Sequence, residues 1–338
     1  MMAEQEHPFA GRKTLILTMA QVKELLSVAE GIELQRTAFT DHAQKKAWNA
    51  PSAWLRVDKH HGWMKLLAGF VDSTDAMGMK VLARYPRNPP GMNLGSLLIL
   101  FDATNGFPQA IFDSIYITGV RTGAGGGLAT QYCARRDART VGILGSGVQA
   151  RFTMLAICEL CSTLERALVY SRNAERRRQF ARRMTGTTSL PFEAVADPRT
   201  AVENADIIVT ATNSPEPVLF RDWIKDGAHI NAMGIKTEID AGVFPGARVY
   251  GDSEEVARAD GKFSTAIKAG VVSADEIAGE IGEVLLGQKP GRVAQDEITL
   301  FDSAGLAVQD VICAQHVYRK ARESGVGVYV DLGLAEAP

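Results

Sequence analysis

The 338-residue sequence lacks a long apolar run. Its longest unbroken stretch of aliphatic and aromatic residues, 97–101, is far shorter than the roughly 20 residues that a membrane-spanning helix needs. Residues 1–6 carry acids where a secretory leader carries bases, and no apolar segment follows them directly. We therefore expect a cytoplasmic protein without a membrane partner.

The sequence also has little net charge and few cysteines. It contains 37 Lys and Arg against 39 Asp and Glu, a formal net charge of −2, so no general attraction to nucleic acid is expected. Among its 4 cysteines only Cys158 and Cys161 form a CxxC pair, whereas a structural zinc site usually needs two such pairs. We therefore expect core cysteines on a helix and no metal site.

The length predicts about two domains at roughly 150 residues each. A capping box of Thr18 and Gln21 opens an amphipathic helical segment over residues 18–46. Residues 50–119 contain short β-rich runs separated by turn clusters, which indicates a mostly antiparallel sheet. Residues 306–323 show helical spacing again, so a helix is expected near the C-terminus.

Beyond about residue 121, short apolar runs alternate with helical segments. The predicted strands cover residues 140–144, 167–170, 192–195, 206–210 and 228–232. The predicted helices cover residues 148–161, 174–184 and 198–204. This alternation is typical of βαβ units around a parallel sheet.

A glycine-rich loop joins the first of these strands to the first helix in the pattern G-x-G-x-x-A. Gly145 permits a tight turn, Gly147 lets the backbone approach a pyrophosphate, and Ala150 lets helix and strand pack closely. The helix N-terminus supplies N–H groups and a positive dipole end for phosphates. This context favours dinucleotide binding over a purely structural turn. Further candidate cofactor contacts are Ser146, Val148, Gln149, Thr210, Ala211, Thr212, Met233 and Gly234.

The end of the second predicted strand bears on which cofactor is bound, because an Asp or Glu there binds the ribose diol of NAD. This chain has Ser171, Arg172 and Asn173 and no acid. Arg172 suits pairing with a 2′-phosphate, and Ser171 can donate to the same phosphate. The alternative is that Arg172 and its neighbours Arg176 and Arg177 only form a solvated basic face. We expect NADPH rather than NADH.

Three further segments accompany the glycine-rich loop: residues 78–81 (GMKV), 118–122 (TGVRT) and 301–310 (FDSAGLAVQD). Together the four resemble the ornithine cyclodeaminase/mu-crystallin family over residues 50–321. Most of that family's members reduce imines of 2-oxo acids, or interconvert oxo acids and amino acids, with NAD(P)H. The resemblance implies an NADPH-dependent ketimine reductase or amino-acid dehydrogenase. The alternatives are an ornithine or lysine cyclodeaminase with tightly bound NAD and a non-catalytic, mu-crystallin-like ligand-binding protein.

The resemblance also implies a domain plan. The family has a doubly wound Rossmann sheet inserted into a second, α+β domain that is built from both chain ends and forms homodimers. We therefore expect an NAD(P)-binding domain over residues 120–303. A discontinuous substrate-binding and dimerisation domain is expected over residues 1–119 and 304–338.

Individual roles follow from the same resemblance. It implies that Arg121 holds a substrate carboxylate, which the guanidinium fork suits. It also implies that Lys80 lines the substrate pocket, as a tunable acid or a second carboxylate partner. Ser303 and Gly305 match residues that approach the nicotinamide. The alternatives are an ordinary surface arginine and an ordinary strand lysine.

A run of glycines follows Arg121, at positions 123 and 125–127. Glycine is a poor helix former, yet a helix is predicted here. We interpret the run as close packing of that helix under the cofactor.

Two departures from the family pattern bear on the substrate. Lys236 stands where the cyclodeaminases have an acid that deprotonates the substrate amine, which counts against ornithine cyclisation. Arg56 and Lys65 stand near positions where the family often has an arginine and an acid. We therefore expect a more positive substrate pocket than usual, lined by Arg56, Lys65, Lys80 and Arg121. Such a pocket suits a small or dianionic 2-oxo acid or imino acid better than a diamino acid.

Overall fold

The computed structural model describes residues 9–89 and 92–334. Residues 1–8, 90–91 and 335–338 lie outside the described chain, and with them the acidic N-terminal segment and both outer ends of the predicted discontinuous domain. Among the described helices, none combines the length and the apolarity needed to cross a membrane.

Strands and α-helices are numbered in chain order over the described residues. The strands are β1 (Thr14–Leu17), β2 (Ala47–Asn49), β3 (Ala53–Val57), β4 (Gly62–Val71), β5 (Ala76–Arg84), β6 (Leu94–Asp102), β7 (Pro108–Asp113), β8 (Thr140–Leu144), β9 (Arg166–Tyr170), β10 (Phe192–Ala194), β11 (Ile207–Thr210), β12 (His229–Ala232), β13 (Arg248–Gly251), β14 (Ile277–Glu280), β15 (Thr299–Asp302) and β16 (Val328–Val330). The helices are α1 (Met19–Leu25), α2 (Val28–Ala43), α3 (Ile115–Cys133), α4 (Val148–Leu160), α5 (Ala174–Thr188), α6 (Pro198–Val202), α7 (Glu254–Ala259), α8 (Phe263–Lys268), α9 (Ile281–Leu285) and α10 (Ala307–Ser324).

These elements divide into two compact units. The first unit contains residues 9–27, 44–118 and 306–334, and the second contains residues 28–43 and 119–305. Two of the boundaries between the units fall at residues 118/119 and 305/306. The division differs from the predicted domain plan at residues 28–43, which the sequence grouped with the N-terminal part of the chain.

Helix α2 belongs to the second unit because its apolar side is buried there. Ile32 and Phe39 lie in the same hydrophobic cluster as Phe301, and the Phe39 and Phe301 rings meet edge to face with centroids 6.4 Å apart. A Cβ at Gly282 of α9 would lie 2.1 Å from the Phe39 carbonyl oxygen, so α2 and α9 are in close backbone contact. The tertiary packing of α2 therefore overrides its position in the chain.

The predicted helical segment over residues 18–46 is correct in its start and wrong in its continuity. The capping box of Thr18 and Gln21 is present at the start of α1. Leu26 then has an extended backbone, with φ −137° and ψ 108°, and a new helix begins at Val28.

A mixed sheet forms the first unit, in the order β16-β1-β7-β6-β5-β4-β2, with β3 also paired to β4. Its ladders are antiparallel apart from the parallel pair of β1 and β7, which confirms the mostly antiparallel sheet. Strand β4 is missing from the sequence prediction, although it joins β5 to β2 and β3. Helix α10, predicted at 306–323, packs on β4, β5 and β6.

The two faces of this sheet differ in burial. One face is closed where α10 and α1 cover it, and there it carries fully buried side chains such as Leu98, Leu100 and Phe112. The opposite face is apolar but only partly buried in the described chain. Its side chains include Ile16, Leu66, Phe70, Met77, Met79, Val81, Leu97, Ile99 and Phe101.

A fully parallel sheet forms the second unit, in the order β10-β9-β8-β11-β12-β15-β13-β14. The five predicted strands are present as β8 to β12, and the predicted helices between them are present as α4, α5 and α6. The doubly wound α/β fold is therefore confirmed. The sequence prediction missed β13, β14 and β15, which extend the sheet beyond β12.

The glycines of α3 allow it to pack directly against α4. A Cβ at Gly119 would lie 2.5 Å from the Phe152 ring, and one at Gly123 would lie 2.3 Å from the Phe152 backbone. A Cβ at Gly127 would lie 2.7 Å from the Cβ of Ala156. Because these glycines are spaced at four-residue intervals, one side of α3 carries no side chains where the helices meet. The close packing is against the helix that follows the glycine-rich loop.

We predict that Gly123→Ala lowers the free energy of unfolding by about 1–3 kcal/mol, the usual cost of overpacking. Gly186→Ala is the matched control, because Gly186 also lies in a helix and a Cβ there meets no atom within 4 Å. The control should gain up to about 1 kcal/mol from better helix propensity. Urea unfolding measures both, and a gain in both variants would contradict the close contact.

Candidate active site

The glycine-rich loop leads from β8 into α4 at the carboxyl edge of the parallel sheet. Gly145 has φ +121°, and its N–H donates to the Tyr170 carbonyl at the end of β9, at 2.8 Å. A Cβ at Gly145 would lie 2.4 Å from the carbonyl oxygen of Ala211, which follows β11. The loop therefore lies between the ends of β9 and β11, where the strand order reverses and α/β proteins bind ligands.

Helix α4 starts without a side-chain cap at Gly147, whereas Asn173 and Asp197 cap the next two helices, α5 and α6. Within the described part of the chain, no atom beyond its chain neighbours lies within 4 Å of a Cβ built at Gly147, and the buried Oε1 of Gln149 has no hydrogen-bond partner. Val148 is exposed. Backbone N–H groups at such a helix start bind phosphate oxygens. The residues present therefore fit the pyrophosphate of a dinucleotide.

The end of β9 is tied to the loop by a serine pair. Ser146 Oγ donates to Ser171 Oγ at 2.9 Å. Arg177 donates from Nη1 to the Ser171 carbonyl at 2.8 Å, and its guanidinium lies 5.5 Å from the centroid of the Tyr170 ring. Arg172 is exposed. One arginine thus supports the strand end, and the other lies at the surface beside it.

A buried carboxylate joins the ends of β11 and β12. Glu238 accepts from the hydroxyl of Thr210 at 2.8 Å and from the backbone N–H of Thr212 at 2.8 Å. It also accepts from the Thr212 hydroxyl at 2.9 Å and the Gly234 N–H at 2.7 Å. Burial raises the pKa of Glu238 above its usual range, against the charge of Lys262 and these hydrogen bonds. Glu238 therefore holds two strand-end loops that carry candidate cofactor residues.

A second buried carboxylate holds the turn after β15. Asp252 Oδ2 accepts from the N–H groups of Ala304 and Gly305, both at 2.6 Å. On the other side of the turn, Lys262 Nζ donates to the Ser303 carbonyl at 2.8 Å. Asp252 and Lys262 are both almost fully buried. The turn at residues 303–305 is thus fixed by opposite charges on its two sides.

Arg121, on α3, lies beside this turn. A Cβ at Gly305 would come within 2.7 Å of Nη1 and 3.0 Å of Nη2 of the Arg121 guanidinium. Arg121 is 6% exposed, and its charge lowers the pKa of Asp252, which burial raises above its usual range. The structure thereby brings the predicted carboxylate-binding arginine to the predicted nicotinamide turn.

Lys80 lies in the first unit, on the closed face of its sheet. It occupies β5 opposite Leu67 of β4 and Leu98 of β6. Its Nζ donates to Asp310 Oδ2 of α10 at 2.6 Å, and the two side chains are 2% and 0% exposed. The pair joins residues 230 positions apart in the sequence. Lys80 is therefore a buried, ion-paired ammonium and not an ordinary surface lysine of a strand.

Arg56 and Lys65 share a sheet face with Lys80. Lys65 lies on β4 opposite Trp54 and Leu82, and its Nζ is 4.8 Å from the Trp54 ring centroid. Arg56 lies on β3, opposite Trp63 of β4, and its side chain is exposed. Because side chains alternate along a strand, this register places the three basic residues on one face. Their roles toward a substrate stay a prediction.

The candidate cofactor residues fall into two groups by burial. The side chains of Ala150, Thr210 and Met233 are buried, so they support the strand ends and the helix packing from within. The more accessible positions at the same edge are Ser146, Gly147, Val148, Ser171, Arg172, Asn173, Ala211, Thr212 and Gly234.

Lys236, which replaces the expected acid of the cyclodeaminases, is paired with Asp260. Its Nζ lies 2.7 Å from Asp260 Oδ1, with both side chains partly exposed. Position 236 therefore carries an ammonium group that is already paired with the Asp260 carboxylate.

The two cysteines of the CxxC pair pack against the core of the second unit. Burial raises the pKa of Cys158 and of Cys161 to about 11, so both stay as thiols at neutral pH. In residues 9–89 and 92–334, His, Cys, Asp and Glu side chains form no group of three or more with a metal-binding arrangement.

Sequence reasoning missed Asp252 and Lys262, and it gave Glu238 no function. Asp252 directly follows β13, which was not predicted, so its position at the carboxyl edge could not be seen. Glu238 comes four residues after Gly234, which follows the predicted strand at residues 228–232. This short distance from a strand end was the sequence signal that could have indicated a role for Glu238.

The parallel sheet, the glycine-rich loop at its switch point and the uncapped helix define a dinucleotide-binding α/β protein of the Rossmann type. The chain belongs to the ornithine cyclodeaminase/mu-crystallin family, whose model matches residues 12–325.

Three relatives illustrate the similarity. Alanine dehydrogenase of Archaeoglobus fulgidus is 33% identical over 321 residues, covering 93% of this chain and 97% of that protein. The structure of Thermococcus litoralis Δ1-pyrroline-2-carboxylate reductase in complex with NADH and L-proline has a TM-score of 0.90 and 35% identity, covering 94% of this chain and 100% of that one. An archaeal alanine dehydrogenase dimer with bound NAD has a TM-score of 0.88 and 32% identity, covering 95% and 99%.

We predict that Glu238→Ala weakens binding of the nicotinamide cofactor at least about 10-fold, because each buried N–H that loses its acceptor costs about 1–3 kcal/mol. Unfolding in urea should show a loss of stability of the same order. Glu238→Gln, which keeps one carbonyl oxygen, should lose less. The control is Glu216→Ala, at an exposed site. Fluorescence titration with NADPH measures the affinity, and equal affinities for Glu238→Ala and Glu216→Ala would contradict the role of Glu238.

Proposed function

We propose that the chain is an NADPH-dependent reductase of imines of 2-oxo acids, acting as a ketimine reductase or an amino-acid dehydrogenase. The observation that carries the proposal is the buried Arg121 guanidinium beside Gly305, at the same sheet edge as the glycine-rich loop. An arginine there can hold a carboxylate at the edge where the dinucleotide binds. The similarity to a pyrroline-2-carboxylate reductase and to alanine dehydrogenases supports the same chemistry.

The proposed roles of the chain's residues follow from their chemistry. The bound cofactor supplies a hydride from nicotinamide C4 to the imine carbon. Arg121 binds the substrate carboxylate through two parallel N–H···O bonds and so orients the imine. Lys80, held by Asp310 at 2.6 Å, donates or shares a proton with the imine nitrogen. Arg56 and Lys65 add positive charge that suits a small or dianionic oxo acid.

The two predicted domains take different tasks in this proposal. Residues 120–303 hold the nicotinamide cofactor and supply Arg121, whereas residues 1–119 and 304–338 supply the other substrate-binding residues and form a homodimer. The partly exposed apolar face of the first sheet supports the homodimer, because contiguous apolar patches of this kind mark interfaces. Sedimentation as a monomer at micromolar concentration would contradict it.

A cyclodeaminase is the second candidate within the family. It would release ammonia from ornithine or lysine with no net consumption of NADPH. Lys236, already paired with Asp260, offers no base where that reaction is expected to need one. The observation therefore favours the reductase over the cyclodeaminase. The buried Lys80 and Arg121 favour it over a binding protein without activity, because binding alone does not require both groups.

Lys80→Ala and Arg121→Ala should each lose at least about 100-fold in kcat/KM, the typical contribution of a positioned acid or carboxylate anchor. NADPH oxidation is followed with 2-oxo acids plus ammonia or methylamine, and with cyclic imines. Lys59→Ala and Arg183→Ala, at exposed positions, are the matched controls. Near-normal turnover in both site variants would contradict the proposal, as would a wild type that oxidises NADPH with none of these substrates.

The choice of NADPH rests on Ser171 and Arg172 at the end of β9. We predict that Arg172→Ala raises KM for NADPH about 10-fold or more, because an ionic hydrogen bond contributes about 1.5–3 kcal/mol. KM for NADH should change little, since NADH lacks the 2′-phosphate. Arg183→Ala is again the control. Equal effects on the two cofactors, or a wild type that prefers NADH, would contradict the assignment.

A further inference from the structure

The turn at residues 303–305 is held more firmly than a short loop requires. Asp252 takes two backbone N–H groups on one side, and Lys262 donates to the Ser303 carbonyl on the other. Asp302 reinforces the arrangement, since it lies 3.5 Å from Lys262 Nζ and accepts from the Phe263 N–H. Burying charges is costly unless they are paired and hydrogen-bonded. Such a structure is expected where the exact position of the turn matters.

Gly305 shows what the turn is positioned against. Its φ is +84°, and a Cβ there would collide with Nη1 and Nη2 of Arg121, at 2.7 and 3.0 Å. The guanidinium therefore lies directly on the backbone of Gly305. Any side chain at this position would push it away.

Asp252 provides the second link to Arg121. Its Oδ2 holds the turn, while its buried Oδ1 has no hydrogen-bond partner among the residues that the structure describes. The negative charge lies within electrostatic reach of the Arg121 guanidinium. One carboxylate thus fixes the backbone on which the guanidinium lies and attracts the guanidinium itself.

We infer that Asp252 is a positioning residue for Arg121, and that it acts by fixing the turn at residues 303–305. The contact between the Arg121 guanidinium and the Gly305 backbone in this turn is called the seat below. The inference rests on the proposed role of Arg121 in binding the substrate carboxylate. It assigns Gly305 a task toward the substrate anchor in addition to the nicotinamide contact that the family resemblance implies.

Gly305→Ala tests the seat. We expect KM for the imine substrate to rise about 10-fold or more, since small displacements of a positioning group have effects of this size. The Kd of NADPH should rise less than this KM does, because the glycine-rich loop, which is the candidate site for the pyrophosphate, is untouched. Gly246→Ala is the matched control: Gly246 has φ +76°, and a Cβ there meets nothing within 4 Å. It therefore carries the same backbone strain without a collision.

The Arg121→Lys background shows whether the effect passes through the guanidinium. Lysine lacks the planar fork, so Gly305→Ala should add little to the effect of Arg121→Lys, which is a non-additive outcome. A fully additive effect would overturn the seat, and so would a loss of NADPH affinity as large as the rise in KM.

Asp252→Ala and Asp252→Asn test the positioning residue. Alanine removes the acceptor for both turn N–H groups, so KM should rise about 10-fold or more. Asparagine keeps one carbonyl oxygen for them and should recover most of that loss. Equal effects of the two variants would contradict a role through the turn. If Asp252→Ala fails to fold, the Gly305 variants still test whether the turn positions Arg121.

A binding measurement separates this inference from the proposed function. Calorimetric titration of the NADP⁺-loaded protein with pyruvate reports carboxylate binding without turnover. Tight binding to the wild type and about 10-fold weaker binding to Gly305→Ala, against Gly246→Ala, supports the seat whether or not an imine is reduced. Equal binding to both variants overturns the seat alone. An absence of binding to the wild type contradicts the anchor on which both depend.

Discussion

The carboxyl edge of the parallel sheet depends on two buried carboxylates, Glu238 and Asp252. Each accepts two backbone N–H groups from loops that leave the strands, and those loops hold most of the candidate site. Strand-end loops have few backbone partners of their own, so a buried acceptor replaces the water that would otherwise satisfy them. The two carboxyl groups therefore hold these turns through contacts within the protein itself.

This constraint explains how a small set of functional groups is held in place. Glu238 aligns the ends of β11 and β12 beside the glycine-rich loop, and Asp252 aligns the turn beneath Arg121. In the first unit, Asp310 holds Lys80 in the same way, as one buried charge fixed by another. The candidate substrate groups and the candidate cofactor loops thus share one feature, a buried ionisable group held by its partner. Preorganisation of this kind is what imine reduction needs.

Much of the fold could be predicted because its signals are local. The glycine-rich loop, the strands on either side of it and the capping box of Thr18 are patterns of a few neighbouring residues. Strands β13 to β15 were not predicted, because their place in the sheet depends on pairing between segments distant in the chain, such as β15 with β12. Helix α2 shows the same limit, since its burial against α9 decided its unit.

The candidate site likewise contains residues that local motifs indicate and partners that depend on the tertiary structure. Motifs led to the proposal of Arg121, Lys80 and the glycine-rich loop, as residue types whose chemistry suits a carboxylate, a proton and a pyrophosphate. Their partners were decided only by the tertiary structure: Asp310 for Lys80 across 230 positions, and Gly305 and Asp252 for Arg121. The reason is physical. A motif is set by spacing along the chain, whereas a buried contact depends on the strand register and helix packing that bring distant residues together.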